Sequence, residues 1–392
     1  MEPIETQKAN QACELLAELD LDCWLIWVRE TDQIADPAMR LVLGGDLVGR
    51  SALLFTREGE RIAIVANYDG DGLPEGLFDR VVSYEEGITS HLRDELGRLD
   101  PRTIAIDVSR SDVGADGMTA GMREALDVCL TETPYCERLV SAEGLIQRLR
   151  GRKLPDEVER IRRAITTTER IFDEAYERLS DGQTEREIHA LFHERVRAHD
   201  VGFAWSPGQN PAVDAGPDKP FGHVGPTENR TKRGQLLHFD FGVRVDGYCS
   251  DLQRMVFFGA SSEVPGEVAH AFDTLLRAID AAAAELKPGA VGFEIDGIAR
   301  KCLAERGYPE YKHGLGHQIG RNAHDGGVLL GPRWERYGAS VEGCVEAGNV
   351  FTIEPNIPTQ SFGRVSLEED VLVTEDGCEF LSTPQRELIC IR

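Results

Sequence analysis

Apolar positions in the first third of the chain switch repeatedly between helical and strand periods. A helical spacing over residues 6–19 gives way to the unbroken run Cys23-Trp-Leu-Ile-Trp-Val28, then to short runs at Ala52-Leu-Leu-Phe55 and Ile62-Ala-Ile-Val65. A helix near 87–98, the run Ile104-Ala-Ile-Asp107 and a helix near 117–126 continue the alternation, which predicts a small α/β domain over residues 1–150. Lys153-Leu-Pro155-Asp156-Glu157 then opens a long amphipathic helix running to about Leu179. Proline in a first turn gives up no helical hydrogen bond, and acids there meet the positive end of the helix dipole. The domain boundary is placed just before this helix, giving domains 1–150 and 151–392.

The second domain has a different rhythm. A helix near 184–198 is followed by a loop rich in Gly, Pro and Asn (207–226), a hairpin pattern, helices near 264–286 and 291–306 separated by Lys287-Pro288-Gly289, a glycine-rich stretch and a second hairpin pattern. Strands, then helices, then strands predict an α+β layer with helices on one face of a bent antiparallel sheet.

The two hairpins carry acids where a sheet does not want them. The first reads His238-Phe-Asp240-Phe-Gly-Val-Arg-Val-Asp-Gly-Tyr-Cys-Ser-Asp251, and a turn centred near Val245 and Asp246 makes Asp240 and Asp251 cross-strand neighbours. The second reads Phe351-Thr-Ile-Glu354 and Val365-Ser-Leu-Glu368, and a loop near 361–363 brings Glu354 opposite Glu368. Like charges facing each other destabilise a sheet, so two such pairs call for a cation or a shared proton, and a metal is the simpler answer. Between the hairpins lies His313-Gly-Leu-Gly-His317-Gln-Ile-Gly-Arg-Asn-Ala-His324-Asp325, whose glycines argue for a loop in close backbone approach rather than a helix. One imidazole with four carboxylates suits Mn²⁺, Co²⁺, Fe²⁺ or Zn²⁺. Four carboxylates carry too much charge for one ion, so two ions, roughly 3.5–4 Å apart, are expected. His223 stands in a Gly- and Pro-flanked loop, His313 and His324 in the glycine-rich run, and all three are site candidates. His238 opens a strand and is expected to be structural, while Arg254 either pairs with a ligand carboxylate or caps the hairpin.

Composition narrows the partners. A formal net charge of −25 disfavours nucleic acid and anionic membranes. Five of those charges belong to Asp240, Asp251, Glu354, Glu368 and the adjoining Glu369, and two divalent ions would offset most of them. Nine scattered cysteines with no Cys-x-x-Cys pair indicate neither a disulfide framework nor a thiolate zinc site, and Cys249 is expected to pack in the first hairpin. No apolar run reaches the roughly 18–20 residues of a membrane span, and the start Met1-Glu-Pro-Ile-Glu lacks signal-peptide character, so a cytoplasmic location is expected.

Taken in order, these motifs resemble a known family. Asp, eleven residues on a second Asp, then His in a His-Gly-x-x-His run, Glu in Thr-x-Glu-Pro and Glu in a Glu-x-Asp strand look like the pita-bread metallopeptidases: prolidase, aminopeptidase P, methionine aminopeptidase and metal-free creatinase. The match covers about residues 155–390. The resemblance implies a pita-bread catalytic domain over 151–392, preceded by a smaller creatinase-type α/β domain that lids the site from a neighbouring subunit in a homodimer. It implies that Asp240 holds one metal, that Asp251 and Glu368 bridge both, and that His317 and Glu354 complete the other. Glu354 would be the proton shuttle, and His223 and His324 would hold the scissile carbonyl and the oxyanion. The implied activity is hydrolysis of Xaa-Pro bonds in dipeptides or short peptides, with manganese as the expected metal.

The chain departs from that pattern at positions beside the ligands. Ser366 stands two residues before Glu368, where many prolidases have arginine, with Arg364 two positions earlier. Leu252-Gln-Arg254 replaces a commoner Thr-Arg, and Asn356 follows Glu354-Pro355 where glycine is usual. These departures bear on substrate more than on metals. They keep alive a hydrolase or lyase of a small non-peptide metabolite, like creatinase, ectoine hydrolase or the sulfoniopropionate lyases. A catalytically silent binding protein is the third alternative, against which the intact ligand set counts.

Overall fold

A computed structural model describes residues 2–217 and 224–392. Two compact units divide the chain, Met1–Arg150 and Gly151–Arg392.

The first unit contains α1 (Ile4–Glu18), β1 (Cys23–Val28), α2 (Met39–Val42), β2 (Ser51–Thr56), β3 (Arg61–Ala66), β4 (Arg80–Tyr84), α3 (Thr89–Leu99), β5 (Ile104–Ile106), α4 (Ala120–Cys129), β6 (Leu139–Ser141) and α5 (Glu143–Gly151). Its six strands run in the order β4-β3-β2-β1-β5-β6. β1 is apolar without interruption because both of its faces are covered. Trp24, Ile26 and Val28 enter one core, with Leu15 and Leu16 of α1 and Leu145 of α5. Cys23, Leu25 and Trp27 enter the other, with Leu92 and Leu96 of α3 and Leu126 of α4.

Inside this unit two acids are buried together. Trp24 Nε1 donates to Asp107 Oδ1 at 2.6 Å, and Asp36 Oδ1 accepts from the backbone N–H groups of Ala38 and Met39 at 2.9 and 3.0 Å. The outer oxygens, Asp36 Oδ2 and Asp107 Oδ2, are buried without a donor among the described residues. Both carboxyls are pushed up, by burial first and, for Asp107, by the Asp36 charge beside it. A shared proton satisfies both oxygens. A carboxyl raised in the folded state contributes fully below its unfolded value, and that contribution is lost as pH rises through the folded value. Asp107→Asn, which keeps a donor for Asp36 and removes one charge, is therefore expected to gain stability over the parent at pH 8 and little at pH 4. Thermal melts across that range check this, and a difference independent of pH contradicts it.

The second unit opens with α6 (Pro155–Tyr176) and α7 (Glu185–Ala198), followed by β7 (Gly202–Phe203), β8 (Ala212–Ala215), β9 (Leu236–Phe241), β10 (Val243–Val245), β11 (Tyr248–Cys249) and β12 (Leu252–Phe258). α8 (Gly266–Glu285) and α9 (Gly292–Glu305) come next. Then follow β13 (Val350–Ile353), β14 (Asn356–Pro358), β15 (Arg364–Ser366), β16 (Glu369–Val373), β17 (Cys378–Phe380) and β18 (Ile389–Ile391). β18-β12-β9-β8 form one sheet, β13-β16-β17 another, and β14-β15 continue the second hairpin. Pro155 occupies the first turn of α6, and Glu157 Oε2 accepts from the Leu154 N–H at 2.8 Å, which closes that helix end as its sequence predicts.

Alternation along β9 sorts its side chains. Phe239 and Phe241 pack edge-on against Phe172 of α6, with ring centroids 5.9 and 5.5 Å away. Leu236, His238 and Asp240 point the other way. Their partners across the ladder are Phe257, Met255 and Gln253. This face is apolar at one end, where Leu236, Met255 and Phe257 join a core with α8 and α9, and polar at the other.

The register of the first hairpin differs from the expectation by one residue on each strand. Asp246 and Gly247 both have positive φ (49° and 82°), so the turn is centred on that pair and Val245 faces Tyr248. Asp240 consequently faces Gln253, not Asp251. The Ser250 N–H donates to Val243 O at 3.0 Å, and the same register carried through Ser250 brings Asp251 level with Gly242, diagonal to Asp240. Gly242 is required there, because a Cβ would lie 1.9 Å from Ser250 O. The second hairpin keeps the expected register: Ile353 faces Glu369 and Asn356 faces Ser366, with Glu354 and Glu368 in the break between the two ladders. All nine cysteines are free thiols. Among the described residues no helix is long and apolar enough to cross a membrane.

Candidate metal centre

Two hairpins and a glycine-rich loop carry the acids and the imidazole. Asp251 precedes β12, and its N–H donates to Asp370 Oδ2 at 3.2 Å. The hairpin behind it is clamped to α6, where Thr168 Oγ1 lies 2.7 Å from Ser250 Oγ and Tyr248 OH donates to Glu157 Oε1 at 2.9 Å. Glu354 follows β13, and its N–H donates to Leu315 O at 2.7 Å. Glu368 precedes β16. Arg254 donates to its carbonyl at 2.8 Å and grips Glu369 with both guanidinium nitrogens at 3.2 and 3.1 Å. Arg254 thus pairs with the acid next to the predicted ligand and holds that ligand's backbone. The charge of Glu369, counted above with the ligands, is already balanced by Arg254.

His317 lies on the glycine-rich loop, which runs along the edge of β13. Gln318 bridges to Phe351, and Thr352 Oγ1 accepts the His317 N–H at 3.1 Å. A Cβ at position 316 would fall 1.9 Å from Thr352 O, so glycine is what lets the loop lie that close. Farther along, Lys153 Nζ pairs with Asp325 Oδ2 at 3.2 Å, both side chains almost fully buried. The His317 Nδ1–H donates to Gln318 O at 3.3 Å, which turns Nε2 toward Asp251 Oδ2 (3.9 Å) and Glu354 Oε1 (3.6 Å). Burial, with His324 alongside, pushes the imidazole down to about 3, so it stays neutral with a lone pair on Nε2.

Asp251, His317 and Glu368 each offer one ligand atom, and these atoms lie within 4.8 Å of one another. Burial pushes Asp251, Glu354 and Glu368 well above the ordinary carboxylate range. Each is pushed further by neighbouring acids, Asp240 among them in every case. Asp251 Oδ1 is buried with no hydrogen-bond partner among the described residues. Clustered acids of this kind need protons or cations, and an orphaned carboxylate oxygen beside a neutral imidazole suits a divalent ion of the Mn²⁺ to Zn²⁺ class.

The other candidates divide. His324 is exposed, with its ring perpendicular to that of His317 at 4.2 Å. His313 has both nitrogens engaged: Nδ1–H donates to Gly314 O at 2.6 Å, and Nε2 accepts from the Asn356 side-chain amide. Burial pushes it down to about 4. Arg364 donates to the other end of the Asn356 amide. His223 lies outside the described residues. His238 is buried, with Nδ1 2.9 Å from Asp214 Oδ2 and Nε2 2.9 Å from Gln253 Oε1. Burial pulls its basicity down, but the Asp214 carboxylate outweighs this and holds it above the usual histidine value.

The family model of metallopeptidase family M24 matches residues 159–375. The chain belongs to that family. Over 238 residues it is 32% identical to an uncharacterized peptidase of Staphylococcus aureus, covering 60% of this chain and 64% of that protein. Over 248 residues it is 30% identical to the Xaa-Pro dipeptidase of Pyrococcus furiosus, covering 63% of this chain and 67% of that one. The fold is the pita-bread fold of the solved relatives. The crystal structure of an X-Pro aminopeptidase from Thermotoga maritima superposes with a TM-score of 0.72 at 25% identity, over 98% of this chain and 99% of that one.

The parts that two residues play at this M24 centre escaped sequence reasoning. Asp370, fully buried and pushed well up by burial, receives the Asp251 N–H and has its Oδ1 unpartnered among the described residues. Its signal was the two-residue spacing from Glu368, which puts both on one strand face. Gln253 stood out in the sequence only as a departure from the family pattern, and its place opposite Asp240 had no signal until the register was known.

Proposed function

We propose that this M24 protein is a dinuclear-metal hydrolase that cleaves the Xaa-Pro bond of dipeptides or short peptides, in the manner of prolidase or aminopeptidase P. The observation that carries this reading is the convergence of Asp251, His317 and Glu368 within 4.8 Å, with Glu354 and Asp240 against them, in a chain similar to an Xaa-Pro dipeptidase. Asp240 would hold one ion, Asp251 and Glu368 would lie between two, and His317 with Glu354 would complete the second. Two divalent ions, Mn²⁺ foremost and Co²⁺, Zn²⁺ or Fe²⁺ next, supply the Lewis acidity that readies water for attack near neutral pH. The prolyl nitrogen carries no hydrogen before cleavage. We assign Glu354 Oε1 to bring it one, since Oε2 is taken by Gln253 Nε2 at 3.1 Å. His324 and His223 are assigned to the scissile carbonyl and the oxyanion, and His313 to substrate. The unit Met1–Arg150 is read as the creatinase-type domain, and the protein as a cytoplasmic homodimer.

The His313-Asn356-Arg364 chain beside Ser366 favours one competitor, a hydrolase or lyase of a small non-peptide metabolite. A substrate panel on Mn²⁺-loaded protein separates the two: Ala-Pro, Gly-Pro, a tripeptide with proline second, creatine and ectoine. Cleavage of Ala-Pro or the tripeptide is expected. Turnover of creatine or ectoine with neither peptide cleaved would overturn the peptidase reading. Within the peptidase reading, Glu354→Gln is expected to lower kcat at least ~100-fold, as loss of a proton-transfer group does. Steady-state kinetics check this, and kcat within threefold of the parent contradicts the assignment.

A further inference from the structure

Two departures from the family pattern noted in the sequence, Gln253 and Ser366, meet in space. Gln253 lies on β12 opposite Asp240 and is buried, so both ends of its amide must find partners inside the protein. Ser366 Oγ lies 2.5 Å from Gln253 Oε1, and His238 Nε2 lies 2.9 Å from the same oxygen. The other end, Nε2, donates to Glu354 Oε2 at 3.1 Å.

Glu354, as an ionised metal ligand, sets the orientation of this amide. An ionised ligand carboxylate only accepts, so with Glu354 ionised the amide nitrogen faces Glu354, and the amide oxygen faces the histidine and the serine, whose hydroxyl donates to it. The reversed amide would set an oxygen against the carboxylate. Asp214 fixes the histidine from behind at 2.9 Å. The backbone adds to the anchoring, because Gln253 O accepts the Glu368 N–H at 3.3 Å.

We infer that Gln253, clamped by Ser366 and His238, is a positioning residue that ties up Glu354 Oε2 and thereby presents Glu354 Oε1 to the centre beside His317. This deepens the proposed function and rests on it for the role of Glu354 in turnover. It also explains why the two departures occur together: a glutamine reaching Glu354 needs an outside donor to hold its oxygen, and a serine at 366 is short enough to supply one.

Gln253→Met keeps the side-chain length and removes both polar ends, whereas Ser366→Ala removes one clamp with almost no change in volume. Calorimetric titration of metal-free protein with Mn²⁺, together with kcat and KM on Ala-Pro, reads out both. Gln253→Met is expected to weaken Mn²⁺ binding by about 10–100-fold, the range found for outer partners of metal ligands, and to lower kcat with KM changed less than about threefold. Ser366→Ala should show a smaller loss of the same kind, and adding it to Gln253→Met should cost nothing more, because the two residues act through one contact. A Gln253→Met protein with lowered Tm but unchanged Mn²⁺ affinity and kcat would overturn the inference, as would additive losses in the double variant. If Gln253→Met does not fold, Ser366→Ala decides alone, and parental Mn²⁺ affinity and kcat in that variant overturn it. The Mn²⁺ titration needs no substrate, so a parent that binds Mn²⁺ but ignores Ala-Pro would sink the substrate assignment and leave Gln253 to be judged by metal affinity.

Discussion

Asp251→Ala is expected to lose Mn²⁺ binding by more than the ~100-fold that removal of an outer partner costs, and to lose turnover with it. Asp251 stands at the middle of the cluster: its carboxyl is raised by burial and then by Asp240, Asp370 and Glu354, and its Oδ1 has no donor among the described residues. The same facts set the sign of a second effect. In metal-free protein Asp251 is one buried acid too many, so its removal relieves crowding, and metal-free Asp251→Ala should melt no lower than the metal-free parent. Added Mn²⁺ should then raise Tm in the parent and leave the variant where it was. Melts with and without Mn²⁺ test both statements. A variant stabilised by Mn²⁺ as strongly as the parent would show that Asp251 is not a ligand.

Lys153→Met is expected to destabilise the protein by about 3–5 kcal/mol, the loss that follows when one partner of a buried ion pair is removed and the other stays behind. Lys153 and Asp325 are 1% and 5% exposed. They hold the far end of the loop that carries His317, where the Asp325 N–H also donates to Gln318 O at 2.9 Å. Gly320 leaves room for the contact, since a Cβ there would lie 2.2 Å from Asp325 Oδ2. Stability and Mn²⁺ affinity should therefore fall together. Lys153→Met combined with Asp325→Leu, which removes the stranded charge, should recover most of the stability. Urea unfolding measures it, and a loss under about 1 kcal/mol in the single variant would mean that the pair does not anchor the loop.

Much of this was legible in the chain because the strongest local signals coincide with the chemistry. Asp246-Gly247 marks a hairpin by its need for two positive φ values, and Glu354 and Glu368 sit symmetrically about a loop whose register the apolar residues on either side pin. The error in the first hairpin was small in sequence and large in meaning. Centring the turn one residue early set Asp240 against Asp251 and hid Gln253, the residue that faces Asp240. Alternation alone did not remove this ambiguity, because shifting the turn centre by one residue moves the pairing by two and leaves every side chain on its face. The Lys153–Asp325 pair joins residues 172 apart in the chain, and Asp36 and Asp107 are brought together only by tertiary packing. No local pattern announces contacts of that kind. Arg254 shows the opposite limit: its importance was visible, but which of three neighbouring acids it grips depended on strand faces.

The metal question itself turns on one calorimetric experiment. Metal-free protein titrated with Mn²⁺ at pH 7 in two buffers of different ionisation heat should bind two ions per chain and release protons as it does, because the acids at the centre hold protons that a cation displaces. Absence of binding under those conditions, or uptake of ions with an unchanged affinity in Asp251→Ala, would contradict a centre built from Asp240, Asp251, His317, Glu354 and Glu368.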